Sequence, residues 1–466
     1  MNRCILLLGC VLFSVGMLCG EPVYGQSVSR DSAGPRFIRA SGELLLAGVA
    51  PFLFDRYVTR QDYAMISWQT VGHNLSPGSW EWDYDGFQTN QIGHPFHGSI
   101  FFNSFRSNGY GFWASVGATF AGSYLWETFA ENQAPAPNDL INTGFGGAIL
   151  GETTHRLAGK LVNNNSRGLK RQVAEVLAFL INPMNGFNRI VSGRWGKPVM
   201  CDPTVAGLGG IGGACPFDTS PLRVELDVGV RKYGADGAKV FREGRYGLYG
   251  RVRMNYGDPT RDIRTPFSNI SIVAEAGQDD SAAINVVTVY GSLGGWVTRI
   301  GRGRQVLVLS ANYDYFHNAA FLYSGQSIRA NLFSHYAVGG KTGIDVSLGA
   351  GPVVLAAVPN SYLFHTRDYD YGPGLAYNAG GRLDLAGRLS YGVHYRGGWM
   401  KTINGNASHY FLHAVTNEVS VRVLPECSVS AELGYFTLRG DYAHFAAVNR
   451  TYPYLRLSLR FDPLFP

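Results

Sequence analysis

From residue 222 to the end of the chain, polar and apolar positions alternate with a period of two. Leu222, Val224, Leu226, Val228 and Val230 share one face, and Arg223, Glu225, Asp227 and Arg231 share the other. Successive side chains point to opposite faces of a strand, whereas helical spacing would scatter these charges around an axis. The rule recurs in Tyr246, Leu248, Val252 and Met254 against Arg251 and Arg253. It recurs again in Leu389, Tyr391, Val393 and Tyr395 against Arg388, His394 and Arg396, and in Leu455, Leu457, Leu459 and Phe461 against Arg456 and Arg460. The pattern predicts twelve strands, near 222–231, 245–256, 269–277, 284–297, 305–317, 325–337, 341–358, 369–383, 388–400, 408–423, 428–439 and 450–461. Short links such as 338–341 and 424–426 alternate with longer ones such as 232–244, 359–368 and 440–449, the habit of membrane barrels with short periplasmic turns. A soluble sandwich would have to bury the charged face between two sheets, at a large desolvation cost. The expectation is therefore a closed antiparallel transmembrane β-barrel whose lumen is lined by Arg223, Glu225, Asp227, Arg251, Arg253, Arg388, Arg396, Arg456 and Arg460.

Residues 26–220 do not alternate. Breaks at Gly, Pro and Asn predict helices near 37–57, 60–72, 94–131, 138–160 and 168–191. The stretch from Ser107 to Trp126 carries no charge, but its Gly, Asn, Ser and Thr suit a buried or interface-lying helix better than a span. The fold class is thus α+β: a signal peptide at 1–25, a helical domain at 26–200, a Gly-rich linker at 201–221 and a barrel at 222–466. The helical domain is expected to be periplasmic or to enter the barrel.

Composition agrees with this division. The 466 residues include 60 Gly, and only 16% are charged, against roughly 25% in ordinary soluble domains. Mean hydropathy is −0.04, as expected when lipid-facing and lumen-facing residues average out. No apolar run beyond residue 20 is long and strong enough to cross a membrane as a helix, which excludes a polytopic helical protein. The net charge of +6 is spread without a basic run, so nucleic acid is not an expected partner. Outer-membrane lipid and the barrel-assembly machinery are; the aromatic Phe461 near the end resembles the last-strand signal that this machinery reads. The first 19 residues read as a secretory signal, with cleavage after Gly25 or Gly20. Cys4, Cys10 and Cys19 go with it. Cys201 and Cys215 flank a Gly-rich loop and are predicted to form a disulfide, while Cys427 is expected as a small buried residue at a strand start.

Chemistry-bearing residues concentrate in the helical half. His94 and His97 lie three apart at a helix start, and Glu127 follows Trp126 at a helix end. Asn138 or Asp139 is a candidate N-cap, and Gly144, Gly146, Gly147 and Gly151 permit close helix contact. Glu152, His155 and Arg156 share a helical face. Trp80-Glu-Trp-Asp83-Tyr-Asp85, His94-Pro-Phe-His97-Gly, Arg106-Ser-Asn-Gly, Ser123-Tyr-Leu-Trp-Glu127, Asn138-Asp-Leu-Ile and Gly151-Glu-Thr-Thr-His-Arg156 together resemble the bacterial domain-of-unknown-function family 3943 over roughly residues 70–165. The resemblance implies an envelope protein with a shared polar cluster and implies no reaction.

Three functional readings stay open at this point. One is passage, gating or envelope organisation by the barrel. Another is an envelope hydrolase, metal-assisted or not, using His94, His97, Glu127, Asp139 and His155. The third is a structural barrel with a folded cap. Glu152 and His155 form half of a di-metal bundle motif, but no second Glu-x-x-His follows, so no metal or cofactor is predicted. No nucleophile elbow or phosphate loop occurs.

Overall fold

A computed structural model describes residues 35–198, 220–234, 239–279, 282–301, 303–320 and 322–462. The predicted signal peptide and the Cys201–Cys215 pairing lie outside the described residues. The chain divides into two compact units, Met1–Thr219 and Ser220–Pro466.

The first unit is helical: α1 (Phe37–Phe54), α2 (Trp68–Asn74), α3 (His94–Arg106), α4 (Phe112–Phe129), α5 (Pro137–Ile141), α6 (Gly147–Val162), α7 (Gly168–Ile181) and α8 (Pro183–Val191). Several expected boundaries shift for local reasons. The predicted helix 60–72 begins only at Trp68, where Ser67 and Thr70 form a reciprocal capping box. The predicted helix 94–131 is two helices, because Gly109 turns left-handed at φ +93° between α3 and α4. The predicted helix 168–191 breaks at Asn182, whose side chain accepts from the Asn185 amide at 3.0 Å just before Pro183. Neither Asn138 nor Asp139 caps α5: Ala136 holds that position, Pro137 opens the first turn, and both polar side chains are buried.

Glycine sets the distance between α3 and α6. A Cβ on Gly98 would fall 2.1 Å from the Thr143 carbonyl oxygen, and one on Gly147 would fall 2.5 Å from the Gly98 backbone. Both obstacles are main chain and cannot rotate away. Gly98→Ala is therefore expected to force the two helices apart and to cost about 1–3 kcal/mol, read as an earlier thermal transition of helical circular dichroism.

The outer surface of this unit is unusually apolar. Ile38 is 89% exposed, Trp68 90% and Leu169 80%. Against the expectation that no run beyond residue 20 could cross a membrane as a helix, the segment Phe37–Thr59, with mean hydropathy 1.5, is long and apolar enough to do so by length and composition alone.

The second unit is a closed barrel of twelve antiparallel strands, each paired with its sequence neighbours, and the last paired with the first. The strands are β1 (Leu222–Tyr233), β2 (Arg245–Tyr256), β3 (Ile270–Asp279), β4 (Ala282–Ile300), β5 (Gly303–His317), β6 (Leu322–Gly339), β7 (Thr342–Phe364), β8 (Arg367–Leu385), β9 (Leu389–Lys401), β10 (Ser408–Leu424), β11 (Cys427–Tyr442) and β12 (Val448–Phe461). Cys427 is a half-buried free thiol at the start of β11. The expected long connection 359–368 is almost entirely strand, because β7 and β8 stay paired out to Phe364 and Arg367.

The alternation lands where the period of two places it. Val228 and Leu248 are each 62% exposed on the outer face, while Asp227, Arg231 and Glu275 are buried toward the inside. Tight turns at 340–341, 386–388 and 425–426 lie at the end of the barrel that also holds both chain ends of the unit. At the same end, the segment 257–269 folds back. Ile263 pairs with Gly295 and packs on Val306 and Val308, on the face of β4 and β5 opposite the exposed Trp296 and Leu307.

Candidate functional site

The barrel interior is dominated by one ionic network, and strand register builds it. Asp227 on β1 stands level with Arg251 on β2 and with Arg460 on β12. It receives Arg251 at 2.9 Å, Arg253 at 3.0 Å and Arg460 at 2.8 Å. Glu432 on β11 accepts from Arg251 Nη1 at 2.8 Å, Arg456 Nη1 at 3.0 Å and the Tyr454 hydroxyl at 2.8 Å. Glu275 on β3 accepts from Arg231 at 3.0 Å and Arg456 at 2.5 Å. Glu418 on β10 accepts from Arg253 at 2.9 Å and from Arg460 through two bonds of 2.8 Å. Each carboxylate is shared by guanidiniums from different strands, so a charge that would be expensive to bury alone is neutralised from two sides.

A cavity of about 330 Å³ opens beside this network. Of the residues expected to line the lumen, Glu225, Arg251, Arg253, Arg396, Arg456 and Arg460 face that cavity, and Asp227 lies within the network. Arg223 has the same strand parity but sits exposed at the very start of β1. Arg388 is elsewhere. It lies in the turn between β8 and β9, where its amide donates to the Leu385 carbonyl at 3.0 Å, because β9 begins one residue later than expected. Glu275, Glu418 and Glu432 were not singled out from the sequence. Each is an acidic residue inside a predicted strand, and facing those strands by parity would have found them.

In the helical unit, the expected polar cluster separates into two. Around α3, α4 and α5, His94 Nε2 lies 3.4 Å from Asp139 Oδ1, and its Nδ1 is 3.1 Å from the Thr143 hydroxyl. Asn138 donates to Asp139 at 2.7 Å and accepts from the Asp83 amide at 3.0 Å. Glu127 accepts from the Ala136 amide at 3.0 Å through one oxygen, and its other oxygen is buried without a hydrogen bond. Burial pushes the Glu127 and Asp139 carboxyls well up, each reinforced by the other acidic groups nearby. Burial also raises Glu131 to about 7 and lowers His94 to about 3. The environment therefore favours a neutral imidazole against a protonated carboxyl, with no base poised near neutrality at His94. His97 is apart from this pair. Its Nε2 is 3.0 Å from the Ala47 carbonyl of α1, and its ring packs against Phe101 and Trp126, which ties α3 to α1.

The second group surrounds Glu152 on α6. Arg106 at the end of α3 reaches it with Nε at 2.6 Å and Nη2 at 3.1 Å, and Arg156 adds a bond of 2.8 Å one turn along. Burial alone would raise this carboxyl, but the two arginines hold it down at about 2. His155 beside them is pushed down to about 3 by burial and by Arg106. Two similar staples escaped the sequence reading. Glu43 accepts from Arg39, Asn108 and Asn188, and Glu175 accepts from Arg171 and Arg189. In each, the arginine four residues away on the same helix was a visible signal; the distant partner was not. Among the described residues, no three His, Cys, Asp or Glu side chains converge closely enough to hold a metal ion. The set His94, His97, Glu127, Asp139 and His155 is thus divided: His94, Glu127 and Asp139 share one group, His97 turns to α1, and His155 sits beside Glu152.

The family described as "Domain of unknown function (DUF3943)" matches residues 79–184. That stretch takes in both polar groups and runs on through α7. No curated protein matches the chain. Among solved structures, similarity is found to the NanC porin, at 8% identity over 51% of this chain and 100% of that chain, with a TM-score of 0.30. It is also found to the KdgM porin in complex with disordered oligogalacturonate, at 12% identity over 51% and 99%, with a TM-score of 0.26. The outer membrane channel DcaP of Acinetobacter baumannii is similar at 7% identity over 52% and 97%, with a TM-score of 0.24.

Proposed function

We propose that the chain is an outer-membrane barrel through which small polar solutes pass, carrying an envelope-facing helical unit whose apolar helices rest against the membrane. The observation that carries this reading is the barrel itself: a sheet closed on all twelve strands, apolar where it faces outward and filled with paired charges and a cavity where it faces inward. An apolar outer face needs lipid, since monomeric soluble proteins do not expose such surfaces. The helical unit, with α1 and Trp68 exposed, fits the periplasmic side of the same bilayer, and β12 ending at Phe461 fits recognition by the assembly machinery.

Two measurements test this on the full chain. Folded protein extracted from membranes should migrate faster on an unheated gel than after boiling, and in planar bilayers it should give discrete conductance steps. A chain recovered in soluble periplasm with no heat-dependent mobility overturns the membrane assignment; a folded barrel with no conductance overturns passage and leaves the structural reading.

A further inference from the structure

The ionic network leaves one lumen guanidinium over. Five arginines, Arg231, Arg251, Arg253, Arg456 and Arg460, are matched by the five carboxylates Glu225, Asp227, Glu275, Glu418 and Glu432. Arg382, also at the cavity, is held by Asp384 at 3.1 Å on its own strand. Arg396 on β9 faces the same cavity and makes no hydrogen bond or ion pair among the described residues. Its guanidinium carbon lies 5.8 Å from the centroid of the Phe316 ring. His394, two residues earlier on the same face, likewise has no hydrogen bond among the described residues and also lines the cavity.

The surroundings make room for a guest. Across the sheet, Arg396 is flanked by Asn378 and Ala414, and His394 by Gly380 and Thr416, all small or medium side chains. Gly380 leaves room for this ring: a Cβ there would fall 2.7 Å from His394 Nδ1 and from the Ser347 hydroxyl, so a larger residue would push the imidazole aside. The cavity is also lined by the aromatic residues Phe316, Phe436 and Tyr452, whose rings pack in sequence beginning at Phe316 beside Arg396. We infer that Arg396, with His394 beside it, is a binding site for a small organic carboxylate, the guanidinium taking the acid group and the aromatic wall taking the body of the molecule.

The physical case has three parts. An unpaired guanidinium offers five donors in a planar fork that matches a carboxylate's two oxygens. The neighbouring carboxylates are already neutralised by their own arginines, so an incoming anion meets one net positive charge and little repulsion. A cavity of about 330 Å³ is at the small end of ligand sites, which suits a single-ring acid. The inference rests on the lumen being wet, as the passage reading also requires, but it does not need solute to cross.

The test titrates benzoate, acetate and inorganic phosphate calorimetrically into the folded full chain in detergent. Benzoate should bind more tightly than acetate or phosphate. Arg396→Gln should weaken benzoate at least about tenfold, the scale of losing a hydrogen-bonded charge partner, with Arg396→Lys in between. Arg439→Gln, which removes an exposed arginine paired with Asp441, should leave binding unchanged. Heat-dependent gel mobility verifies that each variant is folded. Absence of benzoate binding, equal binding of all three anions, or an equal loss in Arg439→Gln overturns the site. Benzoate binding without conductance defeats only the passage reading. Conductance without benzoate binding, and with the same ion selectivity in Arg396→Gln, defeats only this one.

Discussion

Glu152→Ala is expected to destabilise the helical unit by about 3–5 kcal/mol, the usual consequence of removing one partner from a buried ion pair. Glu152 is fully buried and receives Arg106, itself nearly inaccessible, at 2.6 Å. The substitution strands that guanidinium between α3 and α6 with no acceptor of equal charge. Arg156→Ala should cost far less, because that side chain is partly exposed and Arg106 still neutralises the glutamate. Helical circular dichroism during heating, with barrel mobility on gels as an internal control, separates the effect from general misfolding. An Arg156→Ala loss equal to that of Glu152→Ala would refute the assignment of Arg106 as the main partner. The same pair predicts acid sensitivity. Glu152 is depressed from an ordinary 4.5 to about 2 in the fold, so its contribution is fully present above about 4.5 and is lost as pH falls toward 2. The Glu152→Gln variant should lack that part of the acid transition.

Glu432→Gln should have the larger effect on the barrel. Its carboxylate is shared by Arg251, Arg456 and Tyr454, and the amide replaces a charge that two guanidiniums need. Arg251 remains held by Asp227 and Arg456 by Glu275, but with one carboxylate gone the lumen gains net positive charge. In planar bilayers the reversal potential in a salt gradient should move toward anion selectivity, and the shift should shrink at high ionic strength as the charges are screened. The folded gel form should also be lost at a lower temperature, reflecting about 2–5 kcal/mol of lost pairing. An unchanged reversal potential would mean that ions do not pass near Glu432.

The barrel was legible because its signal is local. Period-two alternation in segments such as Leu222–Arg231 assigns inside and outside without knowing any partner, and the observed strands begin and end within a few residues of that reading except where β7 and β8 run long. The helical half was less legible because its order depends on distant partners. Nothing near Arg106 in sequence shows that it reaches Glu152, and nothing near His97 shows that its ring nitrogen meets the Ala47 carbonyl. Spacing placed the two histidines together on α3, yet their rings serve different neighbours. In the lumen, parity identified the arginines and the β1 acids Glu225 and Asp227, but the other acids of the network come from β3, β10 and β11, and only closure of the sheet brings these together with Arg456 and Arg460 of β12.

That closure makes the last strand the network's main source of balance. The network straddles the junction of the first and last strands: Asp227 on β1 and Glu418 on β10 both depend on Arg460, and Glu275 on β3 and Glu432 on β11 both depend on Arg456. Without β12, the five acids of the network would be left with three of its arginines, Arg231, Arg251 and Arg253. The last strand thus supplies two of the five guanidiniums that balance the network, and it does so from the edge where the sheet meets itself.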